Sequence, residues 1–364
     1  MKTIEASQLS KVDLGLRYIS LGAVLASFAL LFLYAGGWLT PRALTPAKMI
    51  NTFEQTGGTH PGFRRNHAKG VGVSGYFEAN GNGVALSKAE IFQSGRVPVL
   101  GRFALAGGQP YQADMAHTVR SLALLFKLHD GEEWRTGMNA IPVFPVNSAQ
   151  GFYDLLLASA PDPATGKPDA AKMKTFFGQH PESAKAMPLI MNYPVSSGFA
   201  NSTYNSLNAF RFINEAGTSL PVRWAMVPVQ PFVPVAATVK MNTNYLFDAL
   251  ATNIHQAPLQ WRLLVTIGQP GDATADATIP WPTNRQQVDV GILTIDRIES
   301  EATSPARDLN FDPLILPNGI KGSDDPLLSA RSAAYSQSFT RREGETKTPS
   351  AVSPAETAKT TNSQ

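Results

Sequence analysis

The chain has 364 residues, of which 43% are hydrophobic and 16% are charged. This composition is that of a globular protein, and the length suffices for one large domain or two ordinary ones. The net charge of +3 is small and no block of like charges forms a basic stripe, so we expect no nucleic-acid partner. The absence of cysteine excludes disulfides, thiolate-bound zinc or iron–sulfur clusters, and a cysteine nucleophile.

The first predicted element is an uncharged, apolar run at residues 18–39. As a helix it would be roughly 33 Å long, which is enough to cross the hydrocarbon core of a bilayer. Three basic residues precede the run and two follow it closely, a bias that favours a cytoplasmic segment at residues 1–17. The sequence therefore predicts a transmembrane anchor, with the globular part in the periplasm or exterior. A cleaved signal sequence with a site near residues 35–37 would place the globular part on the same side, whereas a buried core helix would not.

Strand and helix patterns follow from residue 40 onward. Gly70–Ala79 is a strand-like run that ends in a turn at residues 80–83. Further strand-like runs occupy residues 84–92, 121–128, 141–146, 209–213, 222–227 and 261–266. Helices are predicted at residues 151–158 and from Asp324 to Arg342, where acidic residues cap the second helix and Pro326 takes its first position. The mixture predicts one large α+β domain over residues 40–341.

The last segment, residues 342–364, has almost no large apolar side chain. A segment that buries little apolar surface cannot compensate for the conformational entropy that it loses on ordering. We therefore expect a disordered tail.

A glycine motif at residues 70–75 fits G-x-G-x-x-G, the fingerprint of dinucleotide-binding folds. That motif binds a pyrophosphate only when a strand precedes it and a helix begins directly after it. Here the motif itself lies in a strand-like run that continues to a turn, so nucleotide binding is not expected. The glycines are better explained by the close approach of something flat, or of another backbone, to the strand.

The segment from Arg64 to Glu78 reads R-R-N-H-A-K-G-V-G-V-S-G-Y-F-E. It resembles the haem catalases, whose corresponding strand reads R-x-x-H-A-K-G-x-G-x-x-G-Y-F-E. Further resembling segments follow in the same order at residues 102–103, 138–144, 208–214, 311–319 and 331–335. The resemblance covers residues 40–341 and implies a catalase-like antiparallel β-barrel core with flanking helices.

The resemblance implies catalytic and iron-binding roles for four residues. His67 would be the acid–base group, because a neutral imidazole can take a proton from one peroxide oxygen and return it to the other. Asn139 would donate a hydrogen bond that orients the peroxide. Tyr335 would be the axial ligand of the iron in haem b, with Arg331, four residues earlier on the same helical face, as its counter-charge. Taken without the resemblance, each of these is more simply a structural histidine, a turn asparagine or a surface pair.

Four more residues are implied around the cofactor. Arg64 and Arg102 match arginines that pair with the haem propionates, a role suited to a planar guanidinium, and their alternative is surface solvation. Phe144 and Phe152 match aromatic residues that face the haem or line its approach channel, and their alternative is an ordinary place in the core.

The chain departs from the resemblance at two positions and in length. Phe339 stands where catalases have a histidine, four residues after the ligand tyrosine, and Ala104 stands where they have a serine that supports the catalytic histidine. Catalases are also longer than this chain. It therefore looks most like the small catalase-related peroxidases.

These features predict a membrane-anchored haem b peroxidase that reduces organic hydroperoxides and hydrogen peroxide, with weak catalase activity. Its partners would be the peroxide and a small organic electron donor, and it would be a monomer or a small homo-oligomer. A different class remains open: a non-catalytic module of catalase-like fold that binds haem or senses peroxide. An extracytoplasmic β-rich binding domain without a cofactor is the third alternative.

Overall fold

The computed structural model describes residues 11–36, 38–39, 43–236 and 242–354. The chain divides into two compact units, residues 1–48 and residues 49–364. The first contains helix α1, Lys11–Ala35, with 25 residues and a mean hydropathy of 2.0, and it is long and apolar enough to cross a membrane. The predicted apolar helix is therefore present, but it begins before residue 18 and ends before residue 39. Residues 1–10 of the expected cytoplasmic segment lie outside the described residues.

The second unit is built on a closed barrel of eight antiparallel strands. The sheet has ten strands in all: β1 Gly70–Ala79, β2 Gly95–Leu105, β3 Arg120–Lys127, β4 Glu133–Asn139, β5 Tyr204–Asn205, β6 Phe210–Ile213, β7 Ser219–Pro228, β8 Leu259–Ile267, β9 Gln287–Glu299 and β10 Ile320–Gly322. The order around the barrel is β7-β5-β4-β3-β2-β1-β9-β8, and β8 pairs back with β7 to close it. Strands β6 and β10 extend the sheet outside this ring.

Helices surround the barrel wall. They are α2 Pro46–Gly57, α3 Ala149–Ala158, α4 Ala170–Gln179, α5 Pro181–Met191, α6 Tyr245–Gln256 and α7 Pro326–Glu343, with short 3₁₀ helices at Glu90–Phe92 and Pro305–Asp308. The predicted α+β architecture, an antiparallel barrel core with flanking helices, is confirmed.

Strand β4 shows how the sequence separates the barrel interior from its outer wall. Burial alternates along its seven residues, with Trp134, Thr136 and Met138 buried and the residues between them half-buried. Because successive side chains of a strand point to opposite faces, Gly137 and Asn139 both lie on the outer wall. The wall, and not the filled interior, is thus the surface that is available for a functional site.

The strand predictions at residues 70–79, 121–128, 209–213, 222–227 and 261–266 are confirmed. The two predicted helices, at residues 151–158 and 324–342, are also present, as α3 and α7. Two strand predictions are wrong. Residues 84–92 form turns and a 3₁₀ helix. Their apolar residues Ile91 and Phe92 are buried in the core but do not pair with another strand. Residues 141–146 are irregular, since Pro142 and Pro145 lack the N–H donors that a ladder needs.

The glycine motif lies wholly within β1, and no helix follows it. A Cβ on Gly72 would lie 2.1 Å from Ser304 Oγ, and one on Gly75 would lie 1.9 Å from the carbonyl oxygen of Thr294 on β9. The close contacts of Ser304 and of the β9 backbone therefore explain why these two positions have no side chain, in line with the predicted approach of another backbone.

Residues 344–354, here called the C-terminal strap, pack on the domain instead of forming a disordered tail. The Glu345 carboxylate accepts hydrogen bonds from the Gly62 N–H and the Arg65 guanidinium, and Val352 is 2% exposed in the core. The amino-acid composition does not reveal this packing, because the segment is held by an ion pair, a backbone hydrogen bond and one apolar side chain, and not by a run of apolar residues. Residues 355–364 lie outside the described part of the chain.

Candidate active site

The outer wall of the barrel carries a platform of small residues across four neighbouring strands. The register aligns Ala104 of β2 with Ser121 of β3 and Asn139 of β4, and the next row aligns Arg102, Ala123 and Gly137. On β1 the paired residues are Gly70 and Gly72. Because cross-strand partners lie on the same face, these residues share one surface of the barrel wall, with Asn139 at one of its corners and Arg102 on its lower row.

Three side chains form a hydrogen-bonded group on this platform, which we call the strand cluster: His67, Ser121 and Asn139. The Ser121 hydroxyl lies 3.0 Å from His67 Nδ1 and 2.5 Å from Asn139 Oδ1. His67 and Asn139 were predicted from the sequence, and the structure brings them together. Ser121 was not predicted, because no motif marks it and only strand pairing places it between the other two.

His67 reaches the platform through an unusual backbone conformation. It precedes β1 with φ 55°, in the left-handed region that non-glycine residues seldom adopt. Asn66 holds this turn, since its side-chain oxygen accepts hydrogen bonds from the N–H groups of His67 and Gly107, each at 2.9 Å. The strain is retained at the residue that carries the predicted chemistry.

The His67 imidazole is neutral at physiological pH. Its burial lowers the pKa, and the positive charges of Arg102, Arg331 and Arg64 lower it further, to about 3. Both effects disfavour the imidazolium. His67 is therefore a base with a free lone pair and not a fixed cation.

A second group faces the platform, and we call it the helix cluster: Arg331 and Tyr335 of α7, with Asn208 from the loop before β6. A Cβ added to Gly137 would lie 3.3 Å from the Tyr335 hydroxyl and 3.5 Å from Arg331 Nη2. Arg331 Nη2 also donates a hydrogen bond of 3.1 Å to the Gly137 carbonyl. The two side chains predicted to share a helical face therefore converge on one point of the platform, and the glycine leaves room for them.

A relay of neutral and acidic groups positions Arg331. Its Nη1 donates to Asn208 Oδ1, and Asn208 Nδ2 donates to the Asp325 carboxylate at 2.7 Å. Asp325 caps α7, accepting from the Leu327 N–H at 2.9 Å, and burial raises its pKa despite this and the Asn208 bond. Within the described residues Arg331 forms no direct ion pair, so its charge remains available to the neighbouring phenol.

The two clusters contact neighbouring positions of β4. Tyr335 lies against β4 at Gly137 and the strand cluster contacts it at Asn139, two residues farther along the same face. Two residues of a strand span roughly 6.6 Å, so the two clusters lie a short distance apart on this face. No group of three His, Asp or Glu side chains suited to holding a metal occurs in the described parts of the chain. The donor groups on this face are one phenol and one neutral imidazole, with the guanidinium of Arg331 beside the phenol.

An arginine cluster lies at the edge of the platform: Arg64, Arg102 and Glu301. Arg102 donates to both oxygens of Glu301, at 2.5 and 3.0 Å, and Arg64 Nη1 donates at 3.0 Å. Burial opposes ionisation of Glu301, but the two arginines outweigh it and lower the carboxyl pKa to about 2. Both predicted propionate partners thus lie at the site, already paired with a carboxylate that sequence reasoning missed.

Arg342 is a further buried cation that the sequence did not reveal. Its guanidinium lies 5.5 Å from the ring centre of Phe339, the residue that replaces an expected histidine. Burial lowers its pKa to about 10, and the charge of Arg102 adds to this effect. No described residue accepts a hydrogen bond from its Nε. Arg342 therefore adds a buried positive charge near the arginine cluster, and one of its N–H groups has no hydrogen-bond partner among the described residues.

The two predicted aromatic residues pack together. The Phe144 and Phe152 rings stack with centres 5.7 Å apart, and Phe53 of α2 lies 5.9 Å from Phe152. Both predicted rings are half-buried and join a small apolar cluster with Val146 and Phe176. Phe53 was not predicted, although Thr45 and Pro46 form a helix-start signal for α2.

A separate cavity of about 550 Å³ lies beside β3 and β4. Arg120 and Ala140 line it, and these are the chain neighbours of Ser121 and Asn139. Since neighbouring side chains point to opposite faces, this cavity is distinct from the candidate site.

Comparison with known proteins gives a consistent result. The family model described as catalase matches residues 46–361. The catalase-related peroxidase of Synechococcus elongatus is 38% identical over 302 residues, covering 82% of this chain and 89% of that protein. The catalase-related peroxidase of Mycolicibacterium paratuberculosis is 33% identical over 304 residues, covering 83% and 96%.

The fold is also similar to that of a solved fungal catalase. That structure superimposes with a TM-score of 0.70 at 20% identity, covering 82% of this chain. The chain spans 62% of the length of that catalase, so this likeness concerns the fold alone.

Proposed function

Because the chain belongs to the catalase family, we propose that it is a haem-dependent peroxidase that reduces hydrogen peroxide and organic hydroperoxides, with weak catalase activity. Two relatives that it covers almost in full are named catalase-related peroxidases, which supports an oxidoreductase acting on peroxide. One observation carries the proposal: the strand cluster and the helix cluster meet the same face of β4 two residues apart.

We infer that haem b is the cofactor and that Tyr335 would hold its iron through the phenol oxygen. Arg331, on the same helical face and beside the same glycine of β4, would be its counter-charge. Arg64 and Arg102 are suited to bind the propionates, since a guanidinium matches a carboxylate in a planar, two-bond geometry. Phe144 and Phe152 would border the approach to the cofactor. When bound, the haem would supply the redox chemistry, taking up the oxidising equivalents of the peroxide and passing them to a reductant.

The protein's own part in the reaction is proton transfer and orientation. His67 Nε2 takes the proton from the near peroxide oxygen and returns it to the leaving oxygen, which departs as water or an alcohol. The amide of Asn139 donates a hydrogen bond to the oxygen on which negative charge develops. A small organic donor then supplies the electrons that complete the cycle.

The localisation that we propose is a membrane anchor at α1 with the catalytic domain in the periplasm or exterior, or alternatively an exported soluble protein. The length and hydropathy of α1 support both, and the basic residues around it favour the stated orientation. A monomer or a small homo-oligomer remains our expectation for the assembly.

Substitution of His67 tests the function directly. His67→Ala should retain haem but lower the rate of peroxide reduction about 10²–10⁴-fold, the usual contribution of general acid–base catalysis. The exposed His255 of α6 offers a matched control, and His255→Ala should change neither property. Haem content is measured by visible absorption, and turnover by donor oxidation and by oxygen release.

The alternative function predicts a different pattern. A non-catalytic haem-binding or peroxide-sensing module would show the same low peroxide consumption with or without His67. Vigorous oxygen release without donor oxidation would instead identify a catalase and contradict the preference for peroxidase activity.

A further inference from the structure

The Ser121 hydroxyl is the only group among the described residues that contacts both members of the proposed catalytic pair. It lies 3.0 Å from His67 Nδ1 and 2.5 Å from Asn139 Oδ1, and Ser121 is 8% exposed. The described residues provide no hydrogen-bond partner for His67 Nε2 or Asn139 Nδ2. The two unpartnered atoms are those that the proposed reaction uses.

The available protons fix which group donates and which accepts in the hydrogen bonds that join His67, Ser121 and Asn139. A serine hydroxyl has one proton, and a carboxamide oxygen can only accept, so Ser121 donates to Asn139 Oδ1. The hydroxyl oxygen must then accept from His67, whose Nδ1 therefore carries the ring proton. As a result Nε2 has a free lone pair, and both amide hydrogens of Asn139 point away from the serine.

The reverse direction would disable the site. If the amide of Asn139 were turned over, its nitrogen would donate to the serine, and the serine would donate to Nδ1. His67 Nε2 would then carry the proton and could not act as a base. The amide would present an oxygen to the peroxide, which needs a donor.

The position of Ser121 matters as much as its chemistry. Ser121 pairs directly with Ala104 on one side and with Asn139 on the other. A hydroxyl at residue 104 would be two strands from Asn139, roughly 9.5 Å away, and would reach the histidine alone. From β3 a single hydroxyl reaches both residues.

We propose that Ser121 is the positioning residue that fixes the tautomer of His67 and the amide orientation of Asn139 together, replacing the serine that is absent at residue 104. The inference rests on the proposed function, because it concerns the peroxide step of the same site.

The test uses the full-length, haem-loaded protein and separates the reaction with hydrogen peroxide from the later oxidation of an organic donor. Ser121→Ala should slow the peroxide step about 10–100-fold, as loss of a group that orients a catalytic residue does, and should leave haem content and the rate constant of the later donor step unchanged. Ser121→Thr keeps the hydroxyl and should restore most of the rate. Ser121→Val has the shape of threonine without the hydroxyl, and should remain slow.

Two further measurements distinguish positioning from a structural role. Hydrogen cyanide must give up its proton as it binds the iron, so its association rate should fall with the peroxide rate. Nitric oxide carries no proton, and its association should not change. The double variant Ala104→Ser, Ser121→Ala returns a hydroxyl to the histidine only and should recover part of the rate.

Equal peroxide rates in the threonine and valine variants would overturn the proposal, even if Ser121→Ala fails to bind haem. So would an unchanged peroxide step in Ser121→Ala, or equal slowing of nitric oxide binding. If His67→Ala also leaves the peroxide step intact, the proposed function fails. If His67→Ala slows it and Ser121→Ala does not, only the role of Ser121 fails.

Discussion

The strand cluster and the helix cluster face the same platform but are built differently. In the strand cluster, neutral side chains from three separate chain segments are joined by one hydroxyl. In the helix cluster, a cation and a phenol come from a single helix and are held by the amide of Asn208 and the carboxylate of Asp325. One side therefore depends on hydrogen-bond direction, and the other on charge.

The difference shows how each side can vary. On a helix, only residues three or four positions apart share a face. Arg331 and Tyr335 must therefore keep their spacing of four residues to lie side by side. In a sheet, each residue has a partner on the strand at either side. A hydroxyl on β2 or on its neighbour β3 can therefore reach the same histidine, His67. This explains how Ser121, the direct partner of Ala104, can replace the serine that is absent at residue 104.

Loss of the phenol should have the largest effect. Tyr335→Phe removes the protein's proposed ligand to the iron while keeping the ring that packs against Phe311 and Leu125. We expect haem affinity to fall by more than the roughly 10–100-fold that loss of an outer-sphere partner causes. Haem titration followed by visible absorption measures this.

A matched control is Tyr76→Phe, because Tyr76 lies on β1 and packs against the guanidinium of Arg96. It should retain wild-type affinity. Normal haem binding by Tyr335→Phe would show that the helix cluster does not hold the iron.

Removal of the buried carboxylate charge should have an intermediate effect. Glu301→Gln leaves Arg64 and Arg102 without a counter-charge, and breaking a buried pair costs about 3–5 kcal/mol. Glu78→Gln alters an exposed pair with Arg96 and should cost about 1 kcal/mol or less.

Urea unfolding of the haem-free proteins measures both values. Adding haem should recover part of the stability of the Glu301 variant, because the propionates can replace the lost charge. Equal losses in the two variants would mean that the arginine cluster is not a buried charge centre.

Acidification should have the smallest effect on the strand cluster. With its pKa lowered to about 3, His67 binds a proton only in strong acid and stays neutral between pH 5 and 8. The rate constant of the peroxide step should be flat over this range, whereas an imidazole with an ordinary pKa of 6.5 would lose about 30-fold by pH 5. Stopped-flow measurement across this range distinguishes the two cases, and a fall centred near pH 6.5 would contradict a neutral His67.

Local signals made part of the molecule predictable. Helix α7 has a capping aspartate, a first-turn proline and a regular spacing of Arg331 and Tyr335, all within one segment. Strand β1 has a continuous run with a turn after it. By contrast β4 begins with Glu133 and includes charged and small residues, because half of it faces the platform, and its sequence does not suggest a strand.

The missing parts of the site depend on long-range pairing. Ser121 is 54 residues from His67, and Glu301 is 199 residues from Arg102. Neither has a local pattern that distinguishes it from a surface serine or glutamate. His67, Asn139 and Tyr335 could be named only because the surrounding segments resemble a known family, and the partners that orient and neutralise them required the register of the barrel.

The C-terminal strap determines where the folded protein can be shortened. Glu345 pairs with Arg65 across 280 residues of chain, and Arg65 stands only two residues before His67. A form cut at residue 341, where composition alone would place the end of the domain, would lose one of the two carboxylates that hold Arg65 beside the loop that presents the imidazole. Crystallisation and tagging should therefore preserve the chain through residue 354, because the reactive loop is secured from the far end of the polypeptide.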